Sequence, residues 1–171
     1  MSQVSAQPLD PILTGKLQSS NNDIVMGALE QLRVAGTASY IPILTQMLLE
    51  HPDPDVRENI HRLLSELKDK AVVPVIVDLL KNDSFAAIHH LLLSACWSNG
   101  LDYSPYLPLL VEFVISGDAQ TAFEALTVIE NLETLPEAAI CEQEIIKINR
   151  ALQNATAEKT YLLQALRGVL A

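Results

Sequence analysis

Ser39-Tyr40-Ile41-Pro42-Ile43-Leu44, followed by His51-Pro52-Asp53-Pro54-Asp55-Val56-Arg57, is the stretch that decides the fold. Its first part opens a helix. Ser39 is placed to cap it, Pro42 falls in the first turn, and Ile41, Leu44, Met47 and Leu48 form an apolar face. Proline is tolerated there because the first backbone N–H groups of a helix have no intrahelical acceptor. The prolines and aspartates of residues 51–55 then break the chain. Asp53 is placed to cap a second helix, with Pro54 at its first position and Asp55 at the positive end of the helix dipole. Val56, Ile60, Leu63, Leu64 and Leu67 recur at the spacing of one helical stripe, and Lys68-Asp69-Lys70 ends it.

The same opening recurs along the chain. Pro11-Ile12-Leu13, Pro42-Ile43-Leu44, Pro74-Val75-Ile76 and Pro108-Leu109-Leu110 are separated by 31, 32 and 34 residues. Each is followed by an aspartate (Asp23, Asp55, Asp83, Asp118) and a second apolar helical pattern. A repeat of this length is the mark of a solenoid, whose units each bury their apolar face only by stacking on neighbours. The expected fold is all-α, a right-handed α-α superhelix of about five helix pairs in a single domain over 1–171, with units of about 9–35, 39–68, 71–98, 105–133 and 136–170. The fifth pair lacks the Pro-Ile-Leu string but has Thr134 and Glu137 at capping-box spacing. Gly36, Asn99-Gly100 and Gly117 stand where helix ends favour a residue tolerant of positive φ. Ala71–Val77 is valine-rich enough for a strand, but Pro74 in its middle favours helix. Leu101–Pro108 reads as a longer connection.

Composition narrows the function. Eleven basic residues face 21 acidic ones, a formal net charge of −10. That balance argues against a grip on nucleic acid or on anionic lipid, both of which need a basic footprint. No apolar run approaches the roughly 20 residues that cross a bilayer. The N-terminal stretch lacks the basic and apolar regions of a secretory signal, and Cys96 and Cys141, 45 positions apart, form no disulfide framework. A reducing compartment, the cytoplasm, is expected. No phosphate-cradling glycine loop or Gly-x-Ser-x-Gly elbow occurs. Cys96 and Cys141 read as small core residues, and His61, His89 and His90 do not make the three or four converging ligands of a metal site. No catalytic residue, metal or cofactor is therefore expected.

The segment from Tyr40 to Arg57 resembles a HEAT repeat, and more closely the short HEAT-like repeats of phycobilisome lyase subunits. The proline of the first helix, the aspartate of the turn and the Val-Arg opening the second helix all match. The resemblance covers residues 9–133 well and the last 38 weakly. The arginine itself occurs only in this unit; Val25, Phe85 and Gln120 stand near its place elsewhere, which removes the usual Asp–Arg ladder. The resemblance implies that the second helices form the face that holds a partner.

Aligning the second helices on Ala28, Ile60, Ile88 and Phe123 as core residues directs a stripe away from the core. Arg57, His61, Phe85, His89, Leu93 and Glu124 are its candidate partner-binding residues, with packing against adjacent repeats the competing reading of Phe85 and Leu93. The expected function is a non-enzymatic scaffold or interaction module for another protein or peptide. The acidic balance favours a partner with basic patches. The alternative is a subunit of a HEAT-like lyase or other enzyme. A HEAT-like DNA glycosylase activity is disfavoured by the acidic charge and an aromatic share of 5%. A monomer or a homodimer is expected, the nearly apolar stretch from Tyr161 to Leu170 either offering a surface for self-association or folding back on the chain.

Overall fold

A computed structural model of the chain describes residues 8–35 and 38–171. Gly36, expected at a helix end, lies outside the described residues. Among the described residues every regular element is helical, and the chain divides into two compact units, Met1–Ile88 and His89–Ala171.

The first unit contains α1 (Pro11–Leu17), α2 (Asn22–Ala35), α3 (Ile41–Glu50), α4 (Pro54–Ser65) and α5 (Val72–Leu80). Two 3-10 segments, Ala38–Tyr40 and Asp83–Ile88, accompany them. Helices α1 and α2 pair, as do α3 and α4; α2 also packs on α4, and α3 on α5. The caps explain the starts. Asp53 accepts from the backbone N–H groups of Asp55 at 2.8 Å and Val56 at 3.3 Å, with Pro54 at the first position. Asp10 caps α1 through Ile12 N–H at 2.8 Å. Ser39, by contrast, does not cap α3: it sits in the 3-10 turn, and Tyr40 precedes the helix without a side-chain cap. Tyr40 is instead buried, its hydroxyl accepting from Asp10 N–H at 2.8 Å and so tying the heads of α1 and α3 together. Val56, Ile60, Leu63 and Leu64 all bury, each contributing about 1.5–3 kcal/mol relative to exposure. The valine-rich segment is helix α5, in keeping with Pro74.

The second unit contains α6 (His89–Asn99), α7 (Leu107–Ser116), α8 (Ala119–Glu130), α9 (Ala138–Leu152) and α10 (Ala157–Leu170), with a 3-10 turn at Ser104–Tyr106. It has two layers. Helices α6, α8 and α10 pack side by side in that order, and α7 and α9 form the other layer against α8 and α10. The connection at 101–106 is held from inside. Buried Asn99 donates to the buried Tyr103 hydroxyl at 3.2 Å and accepts from Leu101 N–H at 3.0 Å. Gly100 takes the expected left-handed turn at φ +65°.

Two local expectations fail here, each for a stated reason. Gly117 has φ −65°, not a positive value; its glycine is required because a Cβ would lie 2.6 Å from the Phe113 carbonyl oxygen. Thr134 and Glu137 form no capping box, since α9 starts at Ala138 with Glu137 itself as the uncapped flanking residue. Of the two fates open to the apolar residues of α10, Leu162, Leu163, Leu166 and Leu170 take the inward one and are buried within this unit.

Candidate interaction site

The structure separates the six sequence-predicted residues. Arg57 is exposed and His61 half-buried, both on α4 in the first unit. Glu124, on α8, is half-buried. Phe85, His89 and Leu93 are buried, at 7%, 7% and 0% exposure. The His89 ring meets Phe113 edge-on, with centroids 5.0 Å apart. The expectation of one continuous exposed stripe is therefore corrected. Residues 84–98 do not form a single α-helix: Asp83–Ile88 is 3-10 and only then does α6 begin. Helix α6 then buries more than one side, with His89, Leu92, Leu93, Ala95 and Cys96 all enclosed, so no outward stripe of the expected kind is left on it.

A second correction concerns Phe123. It is not a core residue of α8 but 57% exposed, whereas Ala122, Ala125, Leu126 and Ile129 are buried. The alignment was one residue out of phase, about 100° around the helix. The buried set itself follows i, i+3, i+4, i+7 spacing, and Phe123 lies off that stripe; this was the signal available in the sequence. Tyr161 shows the same pattern, 74% exposed beside the buried Leu162, Leu163, Leu166 and Leu170.

With Trp97 at 39% exposure, these side chains complete a set. Trp97, Phe123 and Tyr161 are the exposed aromatics among the described residues, and they stand one each on α6, α8 and α10. The Trp97 indole N–H donates to Glu124 Oε2 at 2.7 Å, linking α6 to α8. Between α8 and α10 lies an open groove of about 660 Å³, lined by Gln120, Phe123, Glu124, Glu158, Tyr161 and Leu162. It carries two carboxylates and no cationic side chain.

A smaller cavity of about 380 Å³ adjoins it, lined by Ile115, Gly117, Ala151, Thr156, Lys159 and Leu163 among others. Lys159 turns its ammonium inward and donates to the Gly117 carbonyl at 2.6 Å. Burial lowers the Lys159 pKa, opposed by the charges of Asp118 and Glu158. Asp118 is held below the usual carboxylate range, first by the Thr121 backbone N–H it accepts at 2.7 Å and further by His90 and Lys159. The Lys159–Gly117 bond ties α10 to the turn before α8 and makes this corner a structural joint.

The remaining reactive groups are enclosed. Burial pushes the Cys96 thiol up to about 12, so it stays protonated and is a poor nucleophile at neutral pH. Cys141 is also buried, as its helical neighbours imply. Glu144 is buried on α9 and pairs with Lys147 at 2.7 Å. Among the described residues no group of three His, Cys, Asp or Glu side chains is placed to hold a metal ion. No helix among them is long and apolar enough to cross a membrane.

No curated protein and no solved structure matches the chain. The profile of HEAT repeats matches it twice, over residues 9–96 and 41–127, which together span well over half its length and take in the repeats from α1 through most of α8. On that match, and on the paired helices that underlie it, the chain belongs to the HEAT repeat family.

Proposed function

We propose that this chain is a non-enzymatic interaction module that docks another protein or peptide on the outer side of its second helices. One observation carries the reading: the exposed aromatics Trp97, Phe123 and Tyr161 stand on α6, α8 and α10, the second helices of the second unit. Large aromatic side chains are costly to leave in water and are enriched at the centres of interfaces. In the first unit, Arg57 and His61 on α4 are the reachable members of the sequence-predicted set. The proposed setting is the cytoplasm, where the two free thiols Cys96 and Cys141 persist unpaired.

Selection of a random-sequence peptide display library on the full chain tests this. The expected result is a set of recurring binders, at least about tenfold depleted when the bait is the Phe123→Ala/Tyr161→Ala double variant. Both positions are exposed, so the double variant keeps the wild-type circular dichroism and urea midpoint. Absence of any recurring binder, or binders indifferent to the double variant, overturns the assignment of this face.

A further inference from the structure

The groove between α8 and α10 also has a chemical preference. Its apolar lining includes Leu162 and the rings of Phe123 and Tyr161; its polar lining is Gln120, Glu124 and Glu158. The nearest cation along α10, Lys159, is turned away to the Gly117 carbonyl. Trp97 holds one oxygen of Glu124 at 2.7 Å, which fixes the carboxylate while leaving it acceptor capacity, since an ionised carboxylate takes about four hydrogen bonds. Aromatic faces beside oriented carboxylates attract a cation through both ring quadrupole and charge. Among cationic side chains, guanidinium suits this best: it is planar, stacks on rings, forks onto carboxylates and gives up water more readily than ammonium. A second copy of the chain is a poor occupant, because each brings a formal charge of −10.

We propose that the α8–α10 groove binds an arginine-bearing segment of a partner protein, the guanidinium lying against Phe123 and Tyr161 and paired with Glu158 and Glu124. The inference rests on the interaction-module reading above and names the partner's chemistry.

Trp97 is the single tryptophan of the chain and touches Glu124, so its emission reports on the groove. The full chain is titrated with a blocked peptide of alternating arginine and glycine, and with its lysine and citrulline counterparts. Citrulline keeps the shape of arginine without its charge. The expected result is a saturable change in Trp97 emission with the arginine peptide, weaker binding of the lysine peptide by about threefold, and loss of at least about tenfold with citrulline. Glu158→Gln and Tyr161→Ala, both at exposed positions, each weaken the arginine peptide by about five- to tenfold. Binding also falls as salt rises from about 0.05 to 0.5 M. Equal binding of the citrulline peptide, or indifference to both variants, overturns the proposal. If no arginine peptide binds while the display library yields neutral or acidic binders lost in Phe123→Ala/Tyr161→Ala, the guanidinium assignment falls and the module reading stands. If light scattering shows a dimer that the same double variant dissolves, the groove belongs to a second copy, and the proposal falls.

Discussion

In the first unit, Arg33 near the end of α2 pairs with Glu66, just past the end of α4, and also with Glu30 at 3.1 Å on its own helix. At the other end of the same two helices, Asn22 donates to Asp53, the cap of α4. In the second unit, α6, α8 and α10 pack by the same logic, yet Trp97, Phe123 and Tyr161 stand exposed on them. The Trp97–Glu124 bond at 2.7 Å links α6 to α8 and orients a carboxylate that lines a groove. Two sets of second helices from one repeat pattern thus differ in what lies off the buried stripe. One set is tied by polar pairs at both ends of α2 and α4; the other leaves rings and carboxylates open. Residues off the stripe are unconstrained by stacking, so that is where a repeat protein can acquire a binding surface without losing its fold.

The contrast breaks most visibly at Leu93. Leu93 is fully buried, so Leu93→Ala lowers the unfolding free energy by about 2–5 kcal/mol, while Phe123→Ala changes it by about 0.5 kcal/mol or less. Urea unfolding followed by circular dichroism measures both. Equal effects would return Phe123 to the core and dissolve the proposed groove.

The helix caps give a smaller, pH-dependent effect. Asp118→Ala is expected to cost about 1 kcal/mol at neutral pH through loss of the Thr121 cap. The folded pKa of Asp118 is lowered, first by that backbone bond and then by His90 and Lys159. Its contribution is therefore complete above the unfolded value of about 3.9 and is lost as pH falls through the lower folded value. The difference in urea midpoint between wild type and Asp118→Ala should thus be widest at pH 7 and shrink toward about pH 2. A gap that persists unchanged in acid would show that the carboxylate charge is not what stabilises this joint.

Smallest is the ion pair of the first unit. Glu66 is half in solvent, so Glu66→Gln should shift stability by less than about 1 kcal/mol, and the shift should vanish in about 1 M salt. A larger, salt-independent loss would mean that the first unit's polar ties are structural in a way those of the second are not.

The helix pairs were legible because their signals are local. Pro42, Pro54 and Asp53 act on the backbone beside them, and Val56, Ile60, Leu63 and Leu64 announce their face by spacing alone. The docking surface was not, because it depends on phase. Glu124 and Arg57 could be placed outward from their own helices, but Phe85, His89 and Leu93 could not, since the 3-10 stretch at Asp83–Ile88 leaves no mark in the apolar pattern and α6 is enclosed on more than one side. Phe123 and Tyr161 were readable in principle, as rings standing off a clean stripe. What no spacing contains is that these rings lie beside one another with Glu124 and Glu158 between α8 and α10. By itself the sequence determined the helices, the Asp53 cap and the repeat, since those arise from interactions a few residues apart. Only the tertiary structure decided which side chains share a groove, because that is set by how stacked helices are turned about their axes.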